Sequence, residues 1–260
     1  MTAPPHQIGR GRSGVETGSA VLTFLGTRGE IALRSRRHYR HSALLVRHGA
    51  ARIMVDCGAD WRGRLGAVAP TAIVLTHAHP DHAAGLAEGA PCSVYATATT
   101  LALLARYPIA HRRKVPLGRP VRIGGVSFRA FPVQHSIRAP AVGYRIRIAG
   151  RSCFYLPDVA ELPDVPTALR GVSVYIGDGA TVRRSLVRSK NGALIGHAAI
   201  ATQLDWCERA GVTRAVFTHC GSAIVRGDAR RLDALVRQLG REHGIAGSLA
   251  CDGDRLSLDD

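Results

Sequence analysis

The hydrophobic residues of this chain fall mostly in short runs that are separated by glycine, proline and polar positions. Short runs containing valine, isoleucine and phenylalanine predict β-strands, and several of them follow one another closely enough to form hairpins. We therefore predict strands over residues 21–27, 42–46, 52–56, 71–75, 93–96, 121–123, 126–131, 142–148, 152–156, 172–176 and 212–218.

Two later stretches repeat their hydrophobic positions at helical spacing. Ile200, Leu204 and Cys207 predict a helix over residues 198–210, and Asp228 is a typical N-cap for a last helix. The core face of that last helix is predicted to contain Leu232, Leu235, Val236 and Leu239. The other segments are predicted as a helix over 99–107, a basic loop at 112–114 and a final hairpin-like piece over 248–258.

Composition limits the class of protein. With 46% hydrophobic residues the chain can bury an ordinary core, and we predict one domain over residues 21–260 after a polar, flexible N-terminal tail at 1–20. The tail has no apolar segment of signal-peptide length, and no run approaches the roughly 18 apolar residues of a membrane span. Six scattered cysteines without a CxxC pair favour reduced thiols. We expect a cytoplasmic protein without a membrane partner.

The charge of the chain is strongly positive. The net charge is +16, and 33 of the 35 basic residues are arginine, since only Lys114 and Lys190 are lysine. Positive charge on this scale attracts polyanions such as DNA or RNA. An arginine-rich composition can also follow from genomic base composition, so the charge alone leaves a nucleic-acid partner open.

One polar cluster, His77-Ala78-His79-Pro80-Asp81-His82, follows a predicted strand directly. Loops at strand ends are where a rigid scaffold presents functional side chains. Imidazole and carboxylate together suit zinc, manganese or iron. His77 and His79 alternate, so both side chains can reach one ion, while Asp81 and His82 can turn towards a second ion about 3.5–4 Å away.

This cluster resembles the HxHxDH signature of the metallo-β-lactamase superfamily and matches it without a gap. The predicted order of strands before the cluster is also similar to the beginning of that fold. The resemblance, which extends over about residues 21–258, implies an α/β protein: a four-layer αββα sandwich of two mixed sheets with outer helices. It also implies hydrolysis that depends on two divalent metal ions, zinc or manganese, with iron as a further option.

The resemblance implies further ligands at the ends of later predicted strands. His135 would complete a first metal site with His77 and His79, and His219 would complete a second site with Asp81 and His82. Asp158 would bridge both ions. Asp56 would orient a ligating histidine from behind.

The segment Gly196-His197-Ala198-Ala199 and the helix after it resemble the tRNase Z and cyclic-phosphate phosphodiesterase branch of the superfamily. By that resemblance His197 would contact the scissile phosphate and protonate the leaving oxygen, and Asp81 would take part in catalysis as a metal ligand. A basic loop expected beside the metals would hold flanking phosphates through Arg36, Arg37, Arg40 and His41. The chain has no room for the long arm with which tRNase Z grips tRNA.

These observations predict a dinuclear metal-dependent phosphodiesterase acting on a nucleic acid or a nucleotide-like phosphodiester. A small-molecule hydrolase of the same fold, acting on a lactone, thioester or cyclic phosphate, is the first alternative. A non-catalytic nucleic-acid-binding protein with a structural metal site is the second, and the complete ligand set argues against it. The sequence leaves a homodimer open.

Overall fold

The computed structural model describes residues 20–258, so the predicted N-terminal tail lies outside the described residues except for its last position. The first of two large sheets has seven strands. They are β1 (Val21–Gly26), β2 (Ala43–His48), β3 (Ala51–Val55), β4 (Ala72–Val74), β5 (Ser93–Ala96), β6 (Arg112–Lys114) and β16 (Arg255–Ser257). Their order is β16-β1-β2-β3-β4-β5-β6, antiparallel as far as β3 and parallel from there to β6.

The second sheet also has seven strands and is also mixed. They are β7 (Pro120–Ile123), β8 (Val126–Val133), β9 (Ala141–Ile148), β10 (Arg151–Tyr155), β11 (Val174–Asp178), β14 (Arg214–Thr218) and β15 (Ala246–Leu249). Their order is β15-β14-β11-β10-β9-β8-β7. A separate two-stranded hairpin consists of β12 (Arg188–Lys190) and β13 (Ala193–Ile195).

Helices cover the outer face of each sheet. Those on the first sheet are α1 (Leu65–Val68), α2 (Pro80–Ala83) and α3 (Ala98–Leu103), with 3₁₀ turns at Ala59–Trp61 and Ala84–Leu86. Those on the second sheet are α4 (Val165–Leu169), α5 (Ile200–Arg209), α6 (Ser222–Arg226) and α7 (Ala229–Glu242). Within residues 20–258 no helix has the length and apolar character needed to cross a membrane.

Three hydrophobic clusters hold these layers together. The central cluster joins the facing surfaces of the two sheets, with Leu44 and Phe128 as fully buried examples from each side. A second cluster, including Trp61, packs the first sheet against its helices, and a third, including Phe217, packs the second sheet against α4 to α7. The predicted four-layer αββα sandwich is therefore confirmed. Each sheet has buried apolar side chains on both faces, one face packing against the other sheet and one against helices.

The last long helix forms as its pattern predicts. Asp228 caps α7, since its side chain accepts a hydrogen bond from the backbone N–H of Arg231 at 2.8 Å. Val236 and Leu239 are buried, and Leu232 and Leu235 pack partly buried against the same cluster.

Two local predictions were wrong. Residues 112–114 form β6 instead of a loop, because Arg112 donates hydrogen bonds to carbonyls at the end of α3 and so fixes the chain beside β5. A charged edge strand of this kind discourages pairing with other chains. The final segment is not a hairpin either. β15 pairs with β14 and β16 pairs with β1, so this segment crosses from one sheet to the other.

Candidate metal centre

The candidate ligands lie together at one edge of the sandwich, where strands end. His77 follows β4 in the first sheet, while His135, Asp158 and His219 follow β8, β10 and β14 in the second. The pairing pattern makes β8, β10 and β14 run in the same direction. Their carboxyl ends therefore meet at one edge, although the residues are far apart in the sequence.

His77, His79 and His135 form what we call the three-histidine group. His79 Nδ1 lies 3.0 Å from His77 Nε2 and 3.3 Å from His135 Nε2, so three ring nitrogens face one point. Burial is the main cause that lowers the pKa of each ring. Three neutral imidazoles with converging lone pairs are a typical arrangement for binding a divalent metal.

Asp81, His82, Asp158 and His219 form a second set, the mixed group, in which all four side chains are buried. Asp81 Oδ2 lies 3.0 Å from His219 Nε2 and 3.1 Å from His82 Nε2. Asp158 Oδ2 lies 2.5 Å from His82 Nε2 and 3.5 Å from His77 Nε2. Asp158 thus stands between the two groups, where the predicted bridging ligand belongs.

Charge is unevenly distributed in the mixed group. Burial acts to raise the pKa of Asp81 and of Asp158, but nearby imidazoles outweigh it and hold both well below the usual range. Burial acts to lower the pKa of His82 and of His219, but the carboxylates raise both. The carboxylates are therefore ionised and present negative charge to the centre of the group.

Several buried polar atoms of the mixed group crowd against one another and make no well-aligned hydrogen bond in the described part of the chain. They are His82 Nε2, His219 Nδ1 and both carboxylate oxygens of Asp158. Buried imidazole nitrogens and carboxylate oxygens that converge in this way without well-aligned hydrogen bonds point to a further binding partner at their centre. Imidazole nitrogens and carboxylate oxygens without a thiolate suit zinc or manganese. The residues present therefore fit divalent metal ions.

A carboxylate behind the mixed group fixes one of its histidines. Asp56 Oδ2 lies 2.9 Å from His82 Nδ1, and Thr76 donates to the same carboxylate through its backbone N–H at 2.8 Å and through its hydroxyl. Asp56 is fully buried, and that burial raises its pKa. This is the contact expected for a residue that orients a ligand.

Unusual backbone conformations coincide with this centre. Asp56 and His219 have positive φ angles of 64° and 55°, which are uncommon for residues other than glycine. Gly58 is also required, because a Cβ at this position would lie 1.9 Å from the carbonyl oxygen of Asp81. Strained or close-packed backbone of this kind is typical of functional sites, where surrounding contacts hold it in place.

His197 stands beside the mixed group, and its partner Asp178 was missed by sequence reasoning. His197 Nδ1 lies 2.8 Å from Asp178 Oδ2 and 3.3 Å from Asp158 Oδ1. Backbone N–H groups of Val159 and Ala180 donate to Asp178 and fix its orientation. With Nδ1 occupied, Nε2 is the ring nitrogen that remains for a substrate.

The pKa of His197 follows from this pairing. Burial lowers it, but the Asp178 carboxylate and its hydrogen bond outweigh burial and raise the pKa to about 9. Gln203 braces Asp178 from the other side, since its amide oxygen accepts from the Asp178 N–H at 2.9 Å and its NH₂ donates to the Asp178 carbonyl at 2.7 Å. The only signal for Asp178 in the sequence was its place at the end of an apolar strand.

A cavity of about 750 Å³, here called the main cavity, opens onto both groups. His79, Asp81, Asp158, His197 and His219 all line it. Much of the remaining wall is apolar and comes from Ile31, Pro80, Leu186, Ala180 and Ala223. Glu30 and Arg184 add one carboxylate and one guanidinium that the sequence did not single out.

The predicted substrate-binding loop is not part of this wall. Arg37 pairs with Asp233 at 3.1 Å, and Arg36 and Arg37 line a separate cavity of about 220 Å³. Arg40 stacks over the ring of Trp61, and His41 is buried with its ring 3.1 Å from Asp60. Their role in holding flanking phosphates stays a prediction, and this placement does not favour it.

Comparisons with known proteins agree with this fold. Residues 51–220 match the family described as Beta-lactamase superfamily domain. A Ribonuclease Z from Mycobacterium marinum is 26% identical over 258 residues, covering 82% of this chain and 91% of that protein. The metallo-beta-lactamase fold protein YhfI from Bacillus subtilis superposes with a TM-score of 0.72 at 15% identity, covering 92% of this chain and 100% of that one. A diphosphatase from the PhnP family superposes with a TM-score of 0.69 at 21% identity, covering 92% and 97%.

Proposed function

Because this chain belongs to the Beta-lactamase superfamily domain family and is a metal-dependent hydrolase, we propose that it cleaves phosphodiester bonds in RNA or a related nucleotide-like substrate. The observation that carries the proposal is His197, which lines the main cavity beside the candidate ligands and is held from behind by the buried Asp178. Phosphodiester hydrolysis expels an alkoxide, and a positioned acid assists its departure. The relatives named Ribonuclease Z support RNA as the first substrate to test.

We propose two divalent ions, zinc or manganese, in the positions that the two groups define. The three-histidine group would hold one ion, and Asp81, His82 and His219 would hold the other, with Asp158 shared between them. Such ions supply Lewis-acid charge and lower the pKa of bound water towards about 7. Asp56 contributes by keeping His82 in the orientation that presents Nε2 to the centre.

His197 would act as the proton donor. Its Nδ1–H is held by Asp178, so the proton on Nε2 can be directed at the leaving oxygen of a substrate in the main cavity. The raised pKa keeps the ring protonated at neutral pH, which is the state that an acid requires.

Turnover of two phosphodiesters tests the proposal: bis-p-nitrophenyl phosphate and a short oligoribonucleotide, each with the zinc- or manganese-loaded protein. We expect hydrolysis of both, and loss of oligoribonucleotide cleavage in His197→Ala. His111→Ala is the matched control, because His111 is an exposed histidine that does not line the main cavity. Metal-loaded protein that cleaves neither phosphodiester would contradict the proposal.

A second function is favoured by the apolar wall of the main cavity. Ile31, Pro80 and Leu186 would suit the carbon skeleton of a lactone or thioester, which a metal-dependent hydrolase of this fold can also cleave. The same metal-loaded protein assayed with a panel of lactones and thioesters separates the two functions. Turnover of these esters without phosphodiester turnover would select the second.

A further inference from the structure

The two-stranded hairpin of β12 and β13 lies beside the metal centre and has no part in the chemistry above. Its strands pair with each other and with no other strand of the described residues. Its base is attached to a candidate ligand: Gly196 N–H donates to the His135 carbonyl at 3.0 Å, and His135 Nδ1 lies 3.1 Å from the Gly196 carbonyl. Leu194 N–H also donates to Gln134 Oε1 at 2.8 Å. The hairpin is therefore fixed relative to the centre.

The hairpin forms one wall of a second cavity of about 630 Å³, here called the cationic cavity. Arg188 and Lys190 line it from the hairpin, and Arg138 lines it from the loop after β8. His79 and His197 line its inner end. The cavity therefore leads from the candidate active site to three positive charges.

These three cations are exposed and have no ion-pair partner within residues 20–258. The carboxylate at the base of the hairpin, Glu161, is hydrogen-bonded to the amide of Gln134 at 2.7 Å. By contrast, Arg37, on the loop that the sequence predicted to bind substrate, forms an ion pair with Asp233. Arg138, Arg188 and Lys190 are thus available to an anion, whereas Arg37 is already engaged.

Arginine and lysine that line a groove without internal partners are the usual means of holding nucleic-acid phosphates. We propose that the cationic cavity binds the phosphate next to the scissile one, so that the substrate class is a single-stranded polynucleotide rather than an isolated phosphodiester. This inference rests on the proposed function. It adds a binding site that the metal groups do not contain, on a side of the centre where the sequence predicted none.

The arrangement of the two cavities supports a strand over a small molecule. Both are lined by His79, His135 and His197, so they meet at the metal centre and continue in different directions from it. A polynucleotide offers matching chemistry: phosphate for the cationic cavity, and the apolar faces of a nucleoside for the main cavity. Positively charged grooves that follow the backbone are common in proteins that bind single strands, and here the aliphatic side chains of Ile31 and Leu186 would contact the base.

A pair of substrates isolates the flanking phosphate. A dinucleoside monophosphate has one phosphodiester and no neighbouring phosphate, whereas an oligoribonucleotide has the same bond with flanking phosphates. We expect the wild-type protein to prefer the oligoribonucleotide in kcat/KM. We expect Arg188→Ala/Lys190→Ala to reduce that preference about tenfold, because two charge-assisted contacts are lost. The slope of log kcat/KM against log salt for the oligoribonucleotide should become shallower by about 0.7, because the cavity would no longer neutralise its one phosphate.

The matched control is Arg147→Ala/Arg151→Ala, which removes the same charge. Arg147 and Arg151 are exposed and lie near the turn between β9 and β10. The other end of β9, at Ala141, lies beside the metal centre. At 3.3 Å per residue, Arg147 is about 20 Å from that end. We expect its substrate preference and salt slope to match the wild type. Arg138→Ala repeats the test from a different segment, in case the hairpin variant changes the hairpin itself.

The outcomes separate the two proposals. In one outcome, all variants cleave both substrates, and the hairpin and Arg138 variants keep the substrate preference and salt slope of the wild type. This outcome would overturn the phosphate-binding role of the cationic cavity but leave the proposed function standing. The same holds if the wild type shows no preference for the longer substrate. Failure of the metal-loaded wild type to cleave either substrate would overturn both.

Discussion

Substitution of His197 by alanine should reduce cleavage according to the leaving group. The Asp178 carboxylate raises the pKa of His197 to about 9, so the imidazole is mostly protonated at pH 7.5 and can serve as the acid. The variant therefore loses the whole contribution of the acid, which is typically 10²–10⁴-fold. For an oligoribonucleotide, whose leaving group is an alkoxide, we expect kcat to fall by about that factor.

For bis-p-nitrophenyl phosphate the loss should be much smaller, because p-nitrophenolate leaves without needing a proton. The assay is kcat on both substrates for wild type, His197→Ala and His111→Ala, with metal content measured on each preparation. Equal losses on the two substrates at full metal content would refute the assignment of His197 as the acid. They would point instead to His197 as a residue that binds substrate or metal. Its ring lies close enough to Asp158, Asp178 and His219 for these four side chains to share a metal ion.

Asp178→Asn gives an independent measure of the same pairing. Without the Asp178 carboxylate, Asp158 and Asp81 still oppose burial but the largest opposing contribution is lost, so the pKa of His197 should fall from about 9 and less of the ring should be protonated at pH 7.5. An acid works only when protonated, so cleavage of the oligoribonucleotide should drop at pH 7.5 and recover as the pH is lowered towards 6. A pH profile identical to that of the wild type would show that Asp178 does not set this pKa.

Two further predictions concern metal and stability. Asp158→Ala should reduce bound metal to well under one ion per chain, because its carboxylate lies beside histidines of both groups. His135→Ala should retain about one ion, as measured by elemental analysis of the purified protein. Burial, followed by repulsion from Arg37, lowers the pKa of His38 to about 4, so below pH 6.5 the unfolded chain binds a proton that the folded chain does not. The free energy of unfolding should therefore decrease as pH falls from 6.5 to 4, by about 2 kcal/mol at pH 5, and urea unfolding of His38→Asn should lack this part of the decrease.

Most strands were predicted because their signal is local. A buried strand needs an apolar run of a few residues, and β8, β9 and β10 carry such runs between glycine turns. The edge strand β6 has no apolar run, since its three residues are all basic. Its formation depends on Arg112 and on pairing with β5, which are tertiary contacts. Pairing partners of β15 and β16 were missed for the same reason.

The sequence by itself determined the fold family through the contiguous HxHxDH spacing, and the resemblance to that family predicted the seven candidate ligands. Only the tertiary structure decided which residues surround them. Asp178 lies 19 positions from His197, and Arg138 lies on a different segment from Arg188 and Lys190. No local pattern records such pairs, because the contacts arise when strand ends from both sheets meet at one edge. The same folding left Arg36, Arg37, Arg40 and His41 outside the wall of the main cavity, although their position in the sequence had favoured them.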